Sequence, residues 1–114
     1  MIEATRRTRL AAVRRYFQNN LDHIPSFIER QLYFQSFDRL YNMLHEFLQA
    51  LFIARRTYPI SYHKWIREQV AEILALPDLY QKLPKLFEIR QFEGREMAEN
   101  AYALTALFEE YAVE

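Results

Sequence analysis

A single glycine, Gly94, serves a chain of 114 residues. The hairpins of β-rich folds rely on positive φ, which glycine adopts most readily, so this chain is a poor candidate for a sheet. Phosphate-cradling loops are excluded on the same ground. Neither a P-loop nor a dinucleotide fingerprint can be built around Gly94 alone. At 51% hydrophobic residues the chain is too apolar to stay disordered. Its length suits one domain with a real core. The expectation is an all-α fold, an irregular bundle of about five helices with one long central helix, in a single domain over residues 1–114.

Residues 2–20 read as an amphipathic helix. Leu10, Val13, Phe17 and Leu21 recur at helical spacing and define one face. Arg6, Arg7, Arg9, Arg14 and Arg15 surround that face. They are spread around the helix and do not alternate with aromatic side chains, so a nucleic-acid partner is not expected. Asn19 and Asn20 suit a helix stop, and Pro25 suits the first turn of a new helix. From Ser26 to about Arg55 no Gly or Pro intervenes. Phe34, Phe37, Tyr41, Leu44, Leu48 and Leu51 form one apolar stripe, with Tyr33, Leu40 and Phe47 beside it. So wide a stripe predicts a central helix of about 30 residues and about 45 Å, touched on two sides. Arg55 and Arg56 would end it, at the negative pole of its dipole.

Pro59 pushes Tyr58 into an extended conformation, so that helix must stop by about Thr57. Ser61 is the predicted N-cap of a helix over Tyr62–Leu76 that buries Tyr62, Ile66, Val70 and Ile73. Trp65, the only tryptophan, is expected to pack on the long helix while Lys64 points away. Short helical pieces follow at Leu79–Lys82 and Pro84–Phe92. Gly94 breaks the chain before a last helix over Arg95–Val113, with Met97, Ala101, Leu104, Phe108 and Tyr111 as its seam.

Complete catalytic constellations are missing. With no Cys there is no disulfide, thiolate zinc site or cysteine nucleophile. His23, His45 and His63 lie about twenty residues apart, without ligand spacing. Arg39 and His45 fall within the Arg-x4-6-His spacing of a helical family of nucleic-acid-cleaving domains, where His acts as acid or base and Arg holds phosphate. Six residues are about 600° of rotation, which sets the two on opposing sides of a helix. No catalytic residue and no metal ligand is assigned.

Residues 1–10 lack the apolar stretch of a signal peptide, and no segment is long enough to span a membrane. Together with the absence of Cys, this points to the cytoplasm. Net charge is zero, but residues 1–57 carry nine Lys/Arg against five Asp/Glu, and residues 58–114 carry six against ten. Such a split suits two parts attracted to each other, or a basic face offered to an anion.

The richest stretch is Phe52–Trp65, FIARRTYPISYHKW. A long apolar helix ending in Phe-x-x-x-Arg, followed by Tyr-Pro and Lys-Trp, resembles the C-terminal helical domain of bacterial nucleotidyltransferase-like proteins. There a phenylalanine-rich helix leads into an Asn-Arg-x-Tyr-x-Pro-x-x-Lys-Trp type of signature. The matching positions are Phe52, Arg55, Arg56, Tyr58, Pro59, Lys64 and Trp65. Arginine replaces the family asparagine, and the Pro-to-Lys spacing is longer. The resemblance covers about residues 34–83.

It implies a helical substrate-binding or accessory domain without catalytic machinery, the C-terminal part of a longer nucleotidyltransferase or the partner of a separate catalytic subunit. The parent enzyme would use Mg and a nucleoside triphosphate; no cofactor is expected in this chain. Arg55, Arg56, Tyr58, His63, Lys64 and Trp65 are the candidate nucleotide- or substrate-binding residues. The alternative is a protein–protein interaction module, a homodimer, and a third reading is a ribonuclease-like domain using Arg39 and His45.

Overall fold

The computed structural model describes residues 2–113. Its elements are α1 (Glu3–Glu29), α2 (Tyr33–Ala54), α3 (Ile66–Glu68) running into a π-helical turn (Gln69–Ile73), α4 (Pro77–Lys82), a 3-10 turn (Pro84–Phe87) and α5 (Glu96–Tyr111). No strand occurs among the described residues, and the fold is the expected all-α bundle. No helix is long and apolar enough to cross a membrane. The bundle measures 43 × 27 × 22 Å. Its long dimension matches α1, whose 27 residues rise about 40 Å.

Helices α1 and α2 form an antiparallel hairpin, with its break in a different place from the one expected. Pro25 lies inside α1 rather than opening a new helix, and Asn19–Asn20 do not stop it. A mid-helix proline forfeits a backbone hydrogen bond. The helix persists because Pro25 is exposed and costs the core nothing, whereas its neighbours Leu21 and Ile24 are buried in the shared core. The true stop is Gln31, in the left-handed region at φ 61. There Leu32 N–H donates to Phe27 C=O at 2.8 Å and Gln31 N–H to Ile28 C=O at 2.9 Å, a Schellman closure. The same device ends α2. Arg56 has φ 55, and Thr57 N–H reaches back to Phe52 C=O at 3.0 Å. Ala75, at φ 55, terminates the π turn, with Leu76 N–H bonded to Val70 C=O at 2.9 Å.

Helix α2 is central, packed by α1 on one side and α5 on the other. Leu40, Met43, Phe47, Leu48 and Leu51 are fully or nearly fully buried. The first turn overhangs the core, so Phe34 is 83% exposed and meets only the Phe92 ring at 4.9 Å. Helix α5 docks by the expected seam. Met97, Ala101, Leu104 and Phe108 are buried, and Phe108 lies 4.5 Å from the Phe17 ring and 6.1 Å from the Phe47 ring. Arg14 covers Phe108 at 5.5 Å and pairs with Glu109.

Between α2 and α5 the chain is less regular than its apolar spacing suggests. Ser61 does cap, accepting from His63 N–H at 3.1 Å and Lys64 N–H at 3.3 Å, but the turn it closes does not continue into a helix. Trp65 stands in the left-handed region at φ 59, so the helix begins only at Ile66. The π turn then inserts an extra residue into the helical repeat. That shift keeps Val70 fully buried and turns Ile73 outward to 51% exposure. Beyond Pro84 only one 3-10 turn forms, and the carboxylate of Glu96 accepts from Arg90 N–H and Gln91 N–H to fold the connection to α5.

Candidate functional site

The loop 57–65 separates two clefts, both walled by α1 and α2. Its shape is set from beneath by Gln69, which is 1% exposed. The Gln69 side-chain amide donates to the carbonyls of Ser61 at 2.6 Å and Lys64 at 2.9 Å, and its oxygen accepts from Ile60 N–H at 2.7 Å. A buried amide must satisfy both its donor and its acceptor ends. Here both ends hold the loop backbone.

The first cleft, of about 230 Å³, is lined by Arg6 and Arg9 of α1, Phe52, Ile53 and Arg56 at the end of α2, and Thr57, Tyr58, Pro59 and Tyr62 of the loop. Arg6 is almost fully buried. It donates to the Glu3 carboxylate at 2.7 and 3.1 Å and to Ile53 C=O at 3.3 Å. Arg56 reaches the same carboxylate at 3.2 Å and Arg7 at 3.3 Å. The Arg6 hydrogen bond, followed by the charges of Arg56, Arg6 and Arg7, holds the Glu3 carboxyl down to about 2 against its partial burial. One carboxylate thus serves three guanidinium groups. Arg9 is exposed, and the Tyr62 phenol is pushed up by burial and drawn back by the Arg9 charge. The cleft combines cationic forks with two phenol rings, a set suited to a multiply charged anion bearing a flat group.

The second cleft, of about 400 Å³ and wider open, is lined by Tyr16, Asn19 and Asn20 of α1, by Arg39, Asn42, His45, Glu46 and Gln49 of α2, and by His63 of the loop. Arg39 donates to Asn20 Oδ1 at 2.9 Å, and Asn20 Nδ2 donates to Glu46 at 2.6 Å. Burial raises the Glu46 carboxyl, partly offset by the Asn20 hydrogen bond and the Arg39 charge. His45 is buried, its ring 4.1 Å from that of His63. Burial, and then the His63 charge, lower its imidazole below the ordinary range. Arg39 and His45, expected on opposing sides of α2, line this one cleft. A rotation of about 600° leaves them only about 120° apart the short way round, and the long Arg39 side chain bends across to Asn20.

The six candidate residues are divided by this geometry. Arg56 and Tyr58 enter the first cleft, and His63 enters the second. Arg55, Lys64 and Trp65 line neither. Trp65 does not pack on the long helix as expected: its left-handed backbone presents the ring to solvent at 61% exposure. Arg6, Arg9, Asn20, Glu46 and Gln69 were missed as site residues. The arginines were visible as a basic helix, but nothing in their spacing shows that α1 brings them to the end of α2. No family model matches the chain, nor does any curated protein or solved structure.

Proposed function

We propose that this chain is a helical substrate-binding or accessory domain of a nucleotidyltransferase. It brings no catalytic machinery of its own and works beside a catalytic domain in cis or on a separate subunit. The observation that supports this reading is the first cleft, which Arg9, Arg56, Tyr58 and Tyr62 line together, with Arg56 shared with Glu3 and Arg6 engaged by that carboxylate. Guanidinium forks bind phosphate oxygens in pairs, and tyrosine rings stack on a base or sugar. Phe52, Arg56, Tyr58 and Pro59 are also the cleft residues that belong to the Phe-x-x-x-Arg…Tyr-Pro…Lys-Trp resemblance. In the assembled enzyme, Mg and the nucleoside triphosphate would be handled by the catalytic domain, with this cleft holding part of the nucleotide or the acceptor.

Calorimetric titration with a Mg–nucleoside triphosphate tests the cleft. Arg56→Ala and Tyr58→Ala should each weaken binding by about tenfold, the loss of one charge-assisted hydrogen bond or one stacking contact. Binding that is absent in the unaltered protein, or unchanged in both variants, rejects the reading. A search of the coding region should find an adjoining or neighbouring domain with a Gly-Ser motif and paired aspartates.

A further inference from the structure

We propose that His45 and His63 form a two-imidazole site in the second cleft for a divalent transition-metal ion that takes imidazole ligands, such as Ni²⁺. The two rings come from different elements, α2 and the loop, and touch edge to face at 4.1 Å between centroids and 69° between planes. His45 is 8% exposed, and its Nε2 is buried without a hydrogen-bond partner. An unpartnered buried imidazole nitrogen is costly to keep unless something else satisfies it. The Tyr41 ring also meets His45 edge to face, at 4.4 Å between centroids.

With metal–nitrogen bonds of about 2.0–2.1 Å, two imidazoles sharing one ion have ring centroids roughly 4.5–5.2 Å apart. The observed 4.1 Å is closer than that, so the rings must part to admit an ion. His63 is exposed on the loop, and its ring is the one with room to turn. Among the described residues no group of three or more His, Asp or Glu is arranged around a metal position. The protein therefore supplies two ligands, and water or a bound molecule supplies the rest. The surrounding wall of Asn19, Asn20, Asn42 and Gln49 offers hydrogen-bonding partners to those outer ligands.

The test is a Ni²⁺ titration of the tag-free chain at neutral pH, followed by calorimetry and by the imidazole resonances of the three histidines. One ion per chain should bind, shifting His45 and His63 and leaving His23 in place. His63→Ala, an exposed change that spares the core, and His45→Gln should each weaken binding about tenfold or more. His23→Ala should leave it unchanged, because His23 is on α1, bonded to Asn19 C=O at 2.7 Å, and outside the cleft. Saturable binding that survives His63→Ala, binding that moves with His23, or no saturable binding at millimolar Ni²⁺ overturns the proposal.

Discussion

The side-chain amide of Gln69 donates to the carbonyl of Ser61 at 2.6 Å, from a position 1% exposed in the π-helical turn. With its bonds to Lys64 C=O and Ile60 N–H, this places three backbone groups of the loop under one side chain. Gln69→Leu fits the core but satisfies none of them. Each lost hydrogen bond costs about 1 kcal/mol, so the variant should lose about 2–3 kcal/mol in urea unfolding. A loss below about 0.5 kcal/mol would show that the loop keeps its shape by other means.

Ala75 carries a Cβ at φ 55, where an L side chain crowds its own carbonyl. Ala75→Gly should raise stability by about 1 kcal/mol, because the relief of strain exceeds the added entropy of the unfolded chain. Ala75→Val should lower it. Thermal or urea unfolding of the three proteins gives the order directly.

Glu3 provides the pH signature. Its carboxyl is held down to about 2 by the Arg6 hydrogen bond and the neighbouring charges, below its ordinary value of 4.5. A carboxylate depressed in the folded state stabilises it fully above the unfolded value, and loses that contribution as pH falls through the folded one. The stability difference between the unaltered protein and Glu3→Gln should therefore hold at neutral pH, shrink from about 4.5 downward and vanish near 2. Urea midpoints measured across this range check it. A difference that stays constant would mean that Glu3 acts through packing and not through charge.

Arg9 separates binding from folding. It is exposed and lines the first cleft, where its charge acts on the Tyr62 phenol. Arg9→Ala should change stability by less than about 0.5 kcal/mol. Triphosphate affinity should nevertheless fall, and the salt dependence of binding should become shallower. Calorimetry at two ionic strengths, alongside urea unfolding, reads both quantities.

Fold class was legible from the near-absence of glycine and from apolar spacing. The α5 seam was legible at Met97, Ala101, Leu104 and Phe108, since a helix docked on one face repeats its contacts, while the buried Leu107 lies beside that seam and Tyr111 is only partly buried. Helix ends were not. Gln31, Arg56 and Ala75 take the left-handed role usually given to glycine, so no local residue type marks the stops. Pro25 sent the reading astray because tertiary burial of Leu21 and Ile24 outweighed a local rule. Trp65 is expected to pack on the long helix, yet one backbone angle turns it outward. The His45–His63 contact joins residues with unremarkable sequence spacing, and only the folded loop brings them together.

Tyr62 and His63 are neighbours in the chain, yet they face different clefts. The peptide unit between them is a shared wall: its His63 N–H donates to Ser61 Oγ, and the buried amide at position 69 fastens the flanking carbonyls of Ser61 and Lys64. A ligand that displaces Tyr62 and tilts the segment carrying His63 would change affinity in the second cleft, and by thermodynamic reciprocity an occupant of the second cleft would then change affinity in the first by the same factor. The two depressions share one wall, so a titration at one in the presence of the other's ligand reads directly whether they are the two pans of one balance.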